Sequence, residues 1–87
     1  MEHFRGNILD NNQVLLEDVE GVLYFTALPG GWRTWEGSFA VPAYAGIEIG
    51  DGPYRLELED GRGGEIVIMR KGAEAVAFKG TGLLEGH

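Results

Sequence analysis

The chain has 87 residues, a length that suits one small domain with a shallow core. It contains no cysteine, which excludes a disulfide framework and a thiolate zinc site, so stability must rest on apolar packing and the strand ladder. Fourteen acids against seven bases give a net charge of −7, which favours solubility and repels phosphate backbones, so nucleic acid is not an expected partner. The two histidines, His3 and His87, lie near the termini and leave little material for a His-ligated metal or a His general base. Residues 1–6 show neither a basic start nor an apolar stretch, and no later run reaches the ~20 apolar residues of a membrane helix. The expected setting is the cytoplasm, with no membrane partner.

Fifteen glycines punctuate runs rich in Val, Ile, Leu, Tyr and Phe, the pattern of short strands joined by tight turns. No window of helical length keeps an i, i+3, i+4, i+7 apolar stripe unbroken by Gly, Pro or an Asn/Asp cluster, so the chain reads as all-β. A first strand spans residues 4–9 and meets a turn at Asp10-Asn11-Asn12, whose short polar side chains tolerate positive φ. A second run covers residues 14–17. The acidic stretch Glu17-Asp18-Val19-Glu20 and a break at Gly21 then separate it from residues 22–27, which are apolar on both faces. Leu28-Pro29-Gly30-Gly31 is a strong turn signal.

Over residues 32–41 the period of two puts Trp35, Gly37, Phe39 and Val41 on one face and Trp32, Thr34, Glu36 and Ser38 on the other. A loop at residues 42–46 and a short extended piece at 47–49 lead to Gly50-Asp51-Gly52-Pro53. Residues 54–59 then alternate strictly: Tyr54, Leu56 and Leu58 face a core, while Arg55, Glu57 and Glu59 face water. Asp60-Gly61-Arg62-Gly63-Gly64 is a hairpin turn, residues 65–70 form another strand with two apolar faces, and residues 71–74 turn the chain into a last strand at 75–79. Six to seven short antiparallel strands at this spacing would leave open edges, so the expected fold is a small antiparallel β-barrel, with a compact sandwich as the alternative. The segments 15–21 and 56–61 share a Leu-Glu-Asp pattern, which common turn grammar explains more simply than duplication.

Each motif that suggests chemistry has a plainer reading. Gly61-Arg62-Gly63-Gly64 lacks the following helix that a phosphate loop feeds, and Asp10-Asn11-Asn12 lacks the Gly and terminal Glu of a calcium loop. Glu57, Glu59, Asp60 and Glu65 cluster around one hairpin. An outward stripe of that kind is usually a solvated face, and Arg55, Arg62 and Arg70 are placed to pair with it across strands. Without cysteine, an internal histidine or a nucleophile elbow, the usual activated nucleophiles cannot be assembled, so the chain reads as a non-enzyme with no cofactor.

Two features point outward instead. Trp32 and Tyr44 are not needed by the core, and an exposed Trp beside a Tyr suits contact with a protein, a peptide or a sugar ring; Trp32 alternatively plugs one end of the barrel. The two doubly apolar strands leave outer residues such as Val67 and Met69, together with Tyr24 or its neighbours Leu23 and Phe25, in need of a cover. The expected function is therefore a non-catalytic interaction module that binds a protein partner or self-associates through Trp32, Tyr44, Val67 and Met69. A barrel that binds a small molecule or glycan with the same aromatics is the alternative, and a nucleic-acid-binding barrel ranks third.

Overall fold

In the computed structural model, which describes residues 1–31, 33–41, 50–72 and 74–85, six antiparallel strands close into a barrel. They are β1 (Glu2–Asp10), β2 (Gln13–Ala27), β3 (Arg33–Ala40), β4 (Tyr54–Leu58), β5 (Gly63–Lys71) and β6 (Ala75–Gly80), and their order around the wall is β1-β2-β3-β6-β5-β4. Pairing of β4 with β1, where Leu56 faces Ile8, completes the circle, so no sheet edge is left open. The connection from β3 to β4 passes the two intervening strands, which makes β3, β4, β5 and β6 a Greek key. Among the described residues no helix is long and apolar enough to cross a membrane.

The strand at residues 14–17 and the one at 22–27 are a single strand, β2, and this removes the seventh element. The acidic stretch between them is a bulge rather than a turn. Glu17 and Asp18 together oppose Asn7 of β1, Asp18 adopts a φ of 57°, and its backbone N–H donates to the Asn7 Oδ1 at 2.9 Å. The bulge shifts the inward parity, so Leu16 and Val19 both point to the core although they are three positions apart. Gly21 is not a break either. It faces the Phe4 ring inside the barrel, at a place where a Cβ would overlap the Ser38 carbonyl oxygen on β3. The likeness of segments 15–21 and 56–61 therefore hides two different structures, a bulge in mid-strand and a hairpin turn.

The turns at Asn11-Asn12 and Gly30-Gly31 form where the sequence places them, with φ of 51° and 67° at the first pair and 82° and 83° at the second. Gly63 and Gly64, read as part of the turn, belong to β5. The turn itself is held by Asp60, whose Oδ1 accepts from the Arg62 N–H at 3.0 Å.

The barrel is filled, not hollow. Phe78 sits at its centre, with Phe4 and Trp35 edge-on at 6.2 Å and Phe39 tilted against it at 6.0 Å. Glycine makes room for these rings. Gly80 and Gly64 lie under the Trp35 indole, and a Cβ at Gly80 would overlap the ring. Trp35 faces inward as its parity predicts, and it plugs the end of the barrel where β1 begins. Its Nε1–H donates to the Gly82 carbonyl at 2.7 Å, Leu84 packs beside the core, and Glu85 exchanges two backbone hydrogen bonds with Gly63 at 2.6 and 2.7 Å.

Candidate binding surface on the outer wall

Closure of the barrel brings the outer faces of the two doubly apolar strands to one wall, with β3 and β6 between them. Two rows of residues cross this wall in register. Val22 of β2 faces Ser38 of β3, which faces Ala77 of β6, and Tyr24 faces Glu36, then Lys79, then Val67 of β5. Leu23 points into the core, and its neighbour Tyr24 therefore points out. Phe25 shares the Leu23 side but lies beyond the packed interior, half covered by the Arg33 guanidinium at 5.4 Å. Met69 continues the outward side of Glu65 and Val67, and a register shift between Ile68 and Arg70 leaves it without a β6 partner.

The result is a groove of about 410 Å³ with unequal parts. Gly37, Ser38 and Ala77 are small and make its floor, while Tyr24 and Met69, 46% and 64% exposed, stand on its two sides. The Tyr24 hydroxyl donates to the Met1 sulfur at 3.7 Å. Glu36 is the one carboxylate among the described residues lining the groove. Arg70 and Lys79 lie alongside, and neither has a carboxylate within ion-pair distance among the described residues.

The opposite side of the barrel differs. A cleft of about 520 Å³ beside β1 and β2 is lined by His3, Arg5, Glu20 and Glu59, and its arginine already has a carboxylate partner. Arg5 pairs with Glu20 and lies 3.4 Å from Asp18; the Glu20 hydrogen bond raises the guanidinium pKa above its ordinary value. Arg62 is held by Glu2 and by Asp60 at 2.9 Å, and these contacts, Glu2 first, push its pKa up against the opposing effect of burial. Arg62 in turn holds the Asp60 carboxyl below the ordinary carboxylate range.

Of the residues singled out from the sequence, Met69 is exposed on the groove and Val67 is half-buried on the same wall, while Trp32 and Tyr44 lie outside the described residues. The acids around the β4–β5 hairpin do not converge. Glu57 takes Arg55 of its own strand at 3.4 Å, Asp60 takes Arg62, and Glu65 accepts from the Thr81 hydroxyl at 2.7 Å. The expected pairing of Arg55, Arg62 and Arg70 with these acids across strands is thus corrected: Arg55 pairs within β4, Arg62 pairs with Asp60 of its own turn and reaches Glu2 of β1, and Arg70 has no carboxylate within ion-pair distance among the described residues. Among the described residues no three His, Cys, Asp or Glu side chains are arranged to hold a metal ion. Sequence reasoning missed Gly37, Ser38 and Ala77, because small residues become a floor only once the β3–β6 register sets them side by side. Comparison with protein-family models, with curated proteins and with solved structures found no match to the chain.

Proposed function

We propose that the protein is a non-catalytic interaction module that binds a protein partner through the outer wall of β2, β3, β6 and β5. The observation that carries this reading is the groove between Tyr24 and Met69. It is a concave apolar surface with a small-residue floor, on a chain whose Arg5, Arg55 and Arg62 are each paired with a carboxylate away from it. A protruding aromatic and a flexible thioether beside a shallow floor suit the anchor side chains that dominate protein contacts. Self-association through the same wall is the second form of this reading. A small-molecule ligand is less favoured, since the Phe78 cluster fills the interior where a barrel usually holds one.

The test is a photo-crosslinking residue placed at Met69, with the same residue at Glu57 on the far wall as control, used in the native cells of the protein. A discrete adduct at Met69 and none at Glu57 is expected. An adduct of the chain with itself selects self-association, and adducts at both positions alike, or none at Met69, contradict the proposal.

A further inference from the structure

Resting on that reading of the groove, we infer that the segment it receives is acidic: an extended stretch with an apolar anchor for the groove and carboxylates for Arg70 and Lys79. The first support is the distribution of charge. Residues 22–27 of β2, which border the groove, carry no charge, and β3, β5 and β6 carry Arg33, Arg70, Lys71 and Lys79 against Glu36 and Glu65, while β1, β4 and the earlier part of β2 carry Arg5 and Arg55 against Glu2, Asp10, Glu17, Asp18, Glu20 and Glu57. The groove therefore lies on the net positive side of a molecule whose total charge is −7.

Distance decides whether that local sign is felt. The molecule measures 24 and 22 Å along its two short axes. At physiological ionic strength charges are screened over about 8 Å, so carboxylates on the far wall act weakly at the groove. Arg70 and Lys79 stand next to Met69 and Ala77 and are screened far less from a ligand seated there. They are also available, whereas Arg5, Arg55 and Arg62 are occupied by carboxylates. A cationic segment would meet both groups unfavourably. A second copy would bring another −7, so repulsion between whole molecules opposes it, most strongly at low salt. The groove volume of about 410 Å³ falls at the low end of ligand sites, roughly 300–1,000 Å³, which fits a side-chain anchor.

The test follows backbone amide shifts in the full chain while two synthetic peptides are added, each with the same central Leu-Ala-Phe and flanked in one by Glu and in the other by Lys. The expected result is movement of the Tyr24, Met69 and Ala77 signals with the Glu peptide, bound about tenfold more tightly than the Lys peptide. That preference should shrink with added salt and vanish in the Arg70→Gln/Lys79→Gln variant, whose unchanged core signals report its folding. Equal affinities, or tighter binding of the Lys peptide at the same residues, overturn the acidic assignment and leave the groove as a binding surface. No movement with either peptide at millimolar concentration overturns both. Concentration-dependent shifts of these residues without peptide identify a second copy as the occupant and likewise overturn the inference.

Discussion

The two sides of this barrel are built from the same alternation of inward apolar and outward polar residues, yet they end in different states. On the side of β1 and β4 each arginine finds a carboxylate: Arg5 with Glu20 and Asp18, Arg55 with Glu57, Arg62 with Glu2 and Asp60. On the side of β3, β6 and β5 the outer residues include Ser38, Ala77, Val67 and Met69, and the cations Arg70 and Lys79 have no carboxylate within ion-pair distance among the described residues. The difference teaches that periodicity sorts inside from outside, while register across neighbouring strands decides whether an outer residue is satisfied or left available for another molecule.

The comparison can be broken most severely from within, because both sides rest on one core. Phe78→Ala removes the ring that touches Phe4, Trp35 and Phe39, and should cost about 3–5 kcal/mol in urea unfolding, with amide protection falling on both sides together. Loss of protection on one side alone would show that the sides are separately stabilised. Gly80→Ala drives a methyl into the Trp35 indole and should cost about 1–3 kcal/mol, with a change in near-ultraviolet tryptophan dichroism.

A smaller effect separates the sides. Arg62→Met unties Glu2 and Asp60 on the matched side, and since these groups remain partly exposed the expected loss is about 1 kcal/mol. Its dependence on pH has a definite sign. The Asp60 carboxyl is held below its usual 3.8 by the hydrogen bond from Arg62, so its stabilisation is present above that value and is lost as pH falls through the depressed folded pKa. Unfolding curves of the wild type and Arg62→Met should therefore converge as the solution is acidified below pH 3.8. A constant gap would mean that Asp60 is not the coupled group.

Much of this architecture was legible in the sequence, in proportion to how local its cause is. Strict alternation in Tyr54-Arg55-Leu56-Glu57-Leu58 marks β4, and the paired Asn11-Asn12 marks a hairpin because only local φ preferences are involved. The continuity of β2 was hidden, since Asp18 in a left-handed conformation and Gly21 under a ring look the same in sequence as residues of a turn. Val67 and Met69 could be named as outer residues from their strand alone. The groove could not, because its floor is made by the pairing of Ser38 with Ala77, 39 positions apart in the chain and adjacent only through the Greek key. Trp32 and Tyr44 stay outside the described residues, so the surface rests on Tyr24 and Met69.

The central claim is that the Tyr24–Met69 wall is kept for another molecule and contributes little to folding. Urea unfolding of the Tyr24→Ser/Met69→Ser variant tests it most directly. The account predicts stability within about 0.5 kcal/mol of the wild type, as for surface positions free of packing roles. A loss of more than about 2 kcal/mol would contradict it, because the wall would then be part of the chain's own packing.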